Sequence, residues 1–333
     1  MSPVLSILIA IAVLLVGFVL LIKGADIFVE GSAAIARKLR VPPMIIGLTV
    51  VAMGTSLPEF AVSVTASFSG SSALAISNVT GSNIFNFLVV LGFSAVFTTL
   101  IVDRASLTFD FPFWIGCTVL CLIFGFTGWE VNRLEGVILL LLFIFYISFT
   151  VYRAIKSRKN SEGTDREDAN EPDLPAWKCI LFVVLGIVMI KFGGDLVVGG
   201  DITIKGLEIG YGATAIARTF GMSETLIGLT IVSCGTSLPE LVTSIVAARK
   251  KQVDMAVGNV VGSNIFNVLL IVGTSAAINP IAFLTINAID IGILLAVSVV
   301  FYLLMFKPGK LVRAEGIVML ALYGGFLAYT IIR

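Results

Sequence analysis

Gly54-Thr-Ser-Leu-Pro-Glu59 and Gly81-Ser-Asn-Ile-Phe-Asn86 decide the reading of this chain, because both return: Gly235-Thr-Ser-Leu-Pro-Glu240 and Gly262-Ser-Asn-Ile-Phe-Asn267. Residues 43–92 align without a gap on 224–273, with 24 identities in 50 positions. Arg133, Glu135 and Gly136 recur as Arg313, Glu315 and Gly316, so the duplication reaches the ends of the halves. Internal repetition on this scale is a statement about architecture. It divides the chain into a first half (1–153), a linker (154–176) and a second half (177–333).

The surroundings of the motifs are apolar. Of 333 residues, 58% are hydrophobic and 13% charged, and the mean hydropathy is +1.06. Soluble domains carry about a quarter of their residues as charges. Segments of about 20 apolar residues cross a bilayer. Ten windows qualify: 4–22, 42–67, 74–100, 111–129, 134–152, 177–198, 225–248, 255–279, 281–306 and 314–332. The expected fold is therefore an all-α polytopic membrane protein of ten transmembrane helices, five per half. The first window has no basic stretch before it and no small-residue cleavage pattern after it, so it reads as a retained helix rather than a leader.

Five is odd, so the second half must enter the membrane from the opposite face. Charges agree with this. Phe68, Ser69 and Gly70 become Arg249, Lys250 and Lys251, whereas Lys38 and Arg40 become Thr219 and Gly221. Loops 1–2, 3–4, 5–6, 7–8 and 9–10 hold 17 of the 22 basic residues. Under the positive-inside rule these loops and the linker are cytoplasmic and both termini extracellular. Inverted repeats of this kind build many secondary transporters. The linker, with mixed charge and Pro172 and Pro175, lacks calcium-loop spacing. The second half also has about twelve additional residues near Gly199–Tyr211, for which the sequence suggests a structural elaboration.

Each half places one acid inside an apolar span: Glu59 in the second window, Glu240 in the seventh. A charge at mid-bilayer costs at least ~2.5–3.5 kcal/mol, which makes such a residue a functional candidate. A protonated or capped structural glutamate is the bland alternative, weakened by the duplication of context. Thr55 and Ser56 precede Glu59 by four and three residues and would share its helical face; Thr236 and Ser237 repeat this before Glu240. Pro58 and Pro239 remove a backbone donor, and freed carbonyls at membrane depth need a cavity or an ion to use them. Helices 2 and 7 are thus expected to be discontinuous. Ser82 with Asn86, and Ser263 with Asn267, are four apart on windows three and eight. Gly81 and Gly262 would allow close helix approach. Asn78, Asn83, Asn259 and Asn264 fit helix-to-helix bonding at least as well as ion binding.

All these ligands are hard oxygens, which suit Ca²⁺ in a flexible shell better than Mg²⁺. Two glutamates balance one Ca²⁺, and Na⁺ accepts the same atoms. Histidine is absent, which excludes His-based zinc sites and Ser-His triads. The net charge of +1 argues against nucleic acid as a partner. Cys117, Cys121, Cys179 and Cys234 lie in apolar runs and read as core fillers. No protease pattern occurs, so an enzyme is not expected, nor a cofactor. A passive cation channel is a remaining alternative, although channels usually assemble acid rings from several subunits.

The paired motifs resemble the α-repeats of the cation/calcium exchanger superfamily over essentially the whole chain, and within it the prokaryotic-type sodium/calcium exchangers. That resemblance implies ion sites at Thr55, Ser56, Glu59, Ser82, Asn86, Thr236, Ser237, Glu240, Ser263 and Asn267, with backbone oxygens of Ala52 and Ser233. It also implies Na⁺/Ca²⁺ antiport by alternating access, with helices 1 and 6 sliding on a rigid bundle, in a prokaryotic cell membrane and as a monomer. Several relatives carry Asp where Asn267 stands; two amides at 86 and 267 argue against potassium co-transport. Proton/calcium exchange is the nearest rival, and the Thr-Ser pair in both copies favours sodium.

Overall fold

The computed structural model describes residues 3–70, 72–160, 174–204, 207–222 and 233–332. Its helices are α1 (Pro3–Leu39), α2 (Pro43–Thr55), α3 (Leu57–Phe68), α4 (Ala73–Phe97), α5 (Ser106–Phe126), α6 (Arg133–Asn160) and α7 (Ala176–Val198). They continue with α8 (Gly212–Thr219), α9 (Ser233–Gly235), α10 (Leu238–Arg249), α11 (Val253–Ile278), α12 (Thr285–Phe306) and α13 (Arg313–Ile332). Among the described residues eight helices are long and apolar enough to cross a bilayer, and the bent pair α2–α3 makes nine. The remaining expected span, 225–248, has residues 225–232 outside the described ones. The chain is an integral membrane protein.

Burial sorts the helices. Of the most apolar window in each, 94% is buried in α11 and 83% in α4, against 11% in α13. The two helices that carry the Gly-Ser-Asn-Ile-Phe-Asn motifs therefore run through the centre, with the remaining long helices turning apolar flanks such as Leu15, Ile144, Leu303 and Ile317 outward. Cys117, Cys121 and Cys179 are buried free thiols and Cys234 is half-buried, as expected of fillers.

The first helix departs from the sequence expectation. Lys23 ends the apolar window at 22, yet α1 continues without interruption for 37 residues, about 55 Å at 1.5 Å per residue. That exceeds the ~30 Å hydrocarbon core. What holds the helix beyond Lys23 is packing rather than hydropathy. α1 lies along α7 at a separation that only glycine permits. A Cβ at Gly24 would stand 2.8 Å from Met189 Cβ, one at Gly186 2.6 Å from Phe28 Cβ, and one at Gly193 2.6 Å from the Leu21 nitrogen. Gly17, Gly24 and Gly31 on α1, and Cys179, Gly186 and Gly193 on α7, each recur every seven residues and form this seam.

Strands are few but informative, forming short two-stranded pairs beside the helices. β1 (Leu100–Ile101) pairs with β6 (Lys310–Leu311), and β2 (Glu130–Val131) pairs with β5 (Ile281–Ala282), both antiparallel. The internal repeat carries β1 onto β5 and β2 onto β6, so each pair maps onto the other. Helix packing is exchanged likewise: α13 packs on the end of α4, as α6 packs on the end of α11. The third expected span, drawn to residue 100, ends at Phe97, where Thr98 turns extended to enter β1. The additional residues of the second half form a hairpin, β3 (Gly200–Ile204) with β4 (Leu207–Tyr211). Gly199 and Gly212 close its base at positive φ of 79° and 69°, with a Cβ on Gly199 only 1.9 Å from the Tyr211 carbonyl oxygen. Only glycine fits both the backbone angle and the space.

α6 continues to Asn160 and α7 begins at Ala176; residues 161–173 of the expected linker lie outside the described ones.

Candidate ion-binding site

The second span is broken as its proline predicted. α2 and α3 meet at Ser56 with a bend of 49°, and Ser56 itself has φ −84°, ψ 6°. Pro58 consequently stands in the first turn of a new helix, where its missing N–H costs nothing. In the second half Thr236 and Ser237 form the turn between α9 and α10, with Ser237 at φ −92°, ψ 3°. Both breaks place an acid in the first turn of the following helix, Glu59 in α3 and Glu240 in α10. Helix N-termini favour negative charge through their unpaired N–H groups, so the backbone itself makes the position tolerable for a carboxylate.

The break also changes which groups meet. Thr55 and Ser56 were expected to share a face with Glu59 in their own half. Instead Ser56 Oγ donates to Glu240 Oε1 of the other half at 2.8 Å, and Ser237 Oγ donates to Glu59 Oε1 at 3.2 Å. The i, i+3 relation holds only on a continuous helix, and the bend removes it. These reciprocal bonds bring both acids into one centre, where Ser56, Glu59, Ser237 and Glu240 are fully buried. Neither glutamate has an ion-pair partner among the described residues.

Several buried polar atoms on α3, α4, α10 and α11 have no hydrogen bond among the described residues. They include the second carboxylate oxygens, Glu59 Oε2 and Glu240 Oε2, with Ser82 Oγ, Ser263 Oγ, Asn86 Oδ1 and Nδ2, and Asn267 Oδ1. Buried polar groups are almost always paired, and these orphans lie on packed elements, Asn86–Val90 against α10 and Asn267–Val272 against α3. Ser82, Asn86, Ser263 and Asn267 come from α4 and α11. Asn86 and Asn267 each open a π-helical stretch, Asn86–Val90 and Asn267–Val272. Wide π-turns are frequent at functional sites, and hydropathy has no signal for them. A further π stretch, Gly47–Val51, precedes Ala52, whose carbonyl accepts from Ser56 N at 3.1 Å. Thr55 is fully buried and Thr236 half-buried. Ser233 opens α9, next to the undescribed residues.

Of the remaining asparagines, Asn78, Asn83 and Asn259 engage the protein, whereas neither side-chain atom of Asn264 has a partner among the described residues. Asn259 Oδ1 accepts from Thr55 Oγ1 at 3.1 Å, while its Nδ2 donates to Ser244 Oγ at 2.9 Å. Asn78 Nδ2 donates to Ser63 Oγ at 3.0 Å, the equivalent bond of the first half. Asn83 joins α4 to α11. The glycines of the motifs pack rather than flex: a Cβ on Gly262 would meet the Leu48 carbonyl oxygen at 2.7 Å, and one on Gly235 would meet Val198 Cγ2 at 2.1 Å. Thr243, one turn after Glu240, is a fully buried residue that the motif reading missed, and its hydroxyl has no partner among the described residues.

Fold and site together define a polytopic membrane protein with two buried acids, one from each half, bonded across to a serine of the opposite half. Comparison with known proteins gives the family. The sodium/calcium exchanger protein family model matches residues 9–152 and 177–332, and the chain belongs to that family. It is 37% identical over 324 residues to the putative antiporter CaxA of Alkalimonas amylolytica, covering 96% of this chain and 98% of that one. It is 32% identical over 351 residues to the sodium/calcium exchanger MaX1 of Methanosarcina acetivorans, covering 95% and 96%. Among solved structures it matches the sodium-calcium exchanger NCX_Mj soaked with 100 mM Na⁺ and 10 mM Sr²⁺, with a TM-score of 0.80, 31% identity and coverage of 96% and 98%.

Proposed function

We propose that this chain is a Na⁺-driven Ca²⁺ antiporter working by alternating access around Glu59 and Glu240. The observation that carries the reading is the pair of reciprocal bonds, Ser56 to Glu240 and Ser237 to Glu59, at 2.8 and 3.2 Å. They support one shared ion centre rather than two separate ones. Family membership supports cation/Ca²⁺ exchange, and MaX1 and NCX_Mj are named as sodium/calcium exchangers.

The chemistry follows from the ligands. Dehydrating a divalent ion is costly, and two carboxylates with several neutral oxygens offset it by replacing the hydration shell in a region of low dielectric. Glu59 and Glu240 balance one Ca²⁺. Hydroxyl oxygens of Thr55, Ser56, Thr236, Ser237, Ser82 and Ser263, amide oxygens of Asn86 and Asn267, and carbonyls of Ala52 and Ser233 complete overlapping positions for Ca²⁺ and Na⁺. Occupation by sodium displaces calcium because both need the same two acids. The halves are inverted repeats, both termini face outward and the linker inward, as the distribution of Lys and Arg favours. α1 and α7, joined by their glycine seam, move together against the bundle and expose the centre to either side in turn.

The test is ⁴⁵Ca²⁺ uptake into proteoliposomes loaded with Na⁺, compared with a pH gradient at clamped voltage. Uptake should follow the sodium gradient and be abolished by Glu59→Gln or Glu240→Gln in folded protein. Uptake driven only by the pH gradient would replace sodium with protons; normal uptake by both variants would remove the carboxylates from the mechanism.

A further inference from the structure

We infer that Asn83 is a positioning residue that fixes which atom of the Asn267 amide faces the ion centre. One neighbouring atom has a role without ambiguity. The backbone carbonyl of Asn264 can only accept, and Asn83 Nδ2 lies 3.3 Å from it. Asn83 must therefore present its NH₂ to Asn264 and its Oδ1 to the opposite side. There Asn267 Nδ2 meets Asn83 Oδ1 at 3.0 Å. An acceptor in that place requires the Asn267 NH₂, so the Asn267 carbonyl oxygen is turned the other way. That oxygen is buried and without a hydrogen bond among the described residues.

The orientation matters because an amide has two ends of opposite use. Its oxygen is a cation ligand, whereas its NH₂ presents two positive hydrogens. A flip of about 180° about the last torsion is sterically nearly free, so only hydrogen bonds choose between the ends. Asn83 supplies that choice across the boundary between the halves. The arrangement is one-sided: Asn86, the counterpart of Asn267, has neither amide atom bonded among the described residues, and Asn264, the counterpart of Asn83, has both side-chain atoms free of partners there. One amide of the centre is thus held with its oxygen available, and the other is not held by a side chain.

This inference rests on the proposed role of Asn267 as an ion ligand, and the experiment separates the two. Half-saturating Ca²⁺ and maximal rate of Na⁺-driven ⁴⁵Ca²⁺ uptake are measured for Asn267→Ala, Asn83→Leu, the double variant, Asn267→Asp, and Asn83→Leu combined with Asn267→Asp. Melting in detergent confirms folded protein, and Asn83→Ala replaces the leucine variant if that one does not fold. Asn267→Ala alone tests the ligand role; no change there overturns both readings. If Asn83 acts through Asn267, Asn83→Leu raises half-saturating Ca²⁺ roughly five- to tenfold, about one hydrogen bond, and the double variant is no worse than Asn267→Ala. The carboxylate introduced by Asn267→Asp offers oxygen at either end and has no donor for Asn83 Oδ1, so in that background Asn83→Leu should cause no further loss. Fully additive losses, an undiminished effect in the Asn267→Asp background, or no effect of Asn83→Leu would each overturn the inference.

Discussion

Alanine at Gly193 tests the seam between α1 and α7. Its Cβ would lie 2.6 Å from the Leu21 nitrogen and 2.8 Å from the Gly17 carbonyl oxygen, where ordinary contact begins at 3.4 Å. Both obstacles are backbone of one long helix, so relief requires the helices to part by several tenths of an ångström along their shared length. Overpacking of this kind costs about 1–3 kcal/mol. Alanine recovers about 1 kcal/mol of helix propensity, leaving a net loss of about 0–2 kcal/mol. The same substitution at Gly116 on α5 or Gly324 on α13 meets open space and should be neutral or stabilising. Apparent melting temperature in detergent at one scan rate reads the difference, and the sign should reverse between Gly193→Ala and the two controls. If α1 and α7 move as one unit, as proposed, exchange rate per folded molecule should fall only for Gly193→Ala. If Gly193→Ala melts with Gly116→Ala and exchanges at the wild-type rate, the seam carries neither stability nor motion.

Other outcomes follow from other contacts. Ser56→Ala and Ser237→Ala each remove the hydroxyl donor to the acid of the opposite half; each should raise half-saturating Ca²⁺ by about tenfold or more, the worth of a hydrogen bond to a charged group. An effect confined to one of them would break the reciprocity. Asp110 on α5 is wholly buried and bonded to Arg153 on α6 at 2.8 Å, with Tyr146 Oη at 3.3 Å. Removing one partner of such a pair costs about 3–5 kcal/mol, so Asp110→Ala should melt well below wild type while the surviving folded fraction exchanges normally; an unchanged melting curve would contradict it. Lys250 reaches Asp26 on α1 at 2.7 Å, both side chains being partly exposed. Lys250→Ala should therefore shift stability by no more than ~1 kcal/mol, and a larger loss in the same melting assay would show a stronger tie than its exposure allows.

The candidate site residues were open to reading because chemistry and duplication coincide in them. Glu59 and Glu240 are acids in apolar surroundings, and Pro58 and Pro239 announce the breaks. Their connection was not open to reading. Spacing along one helix assigned Ser56 to Glu59, whereas the bend at Ser56 turns its hydrogen bond to Glu240, a pairing fixed by how the halves approach. α1 shows a second kind of limit. A hydropathy window stops at Lys23 because it weighs transfer to lipid, but the helix persists wherever a neighbour covers it. The mark of that neighbour is present in the sequence as the seven-residue spacing of Gly17, Gly24 and Gly31 against Gly186 and Gly193. No single window can reveal it, because a seam exists only between two helices. The π stretches at Asn86 and Asn267 lie further off still. No periodicity distinguishes a five-residue turn from a four-residue one over such short runs, yet there the local winding departs from the ordinary helix at the asparagines of the ion centre. The residues of the candidate site are thus written in its motifs, whereas the geometry that brings them together depends on the meeting of the halves.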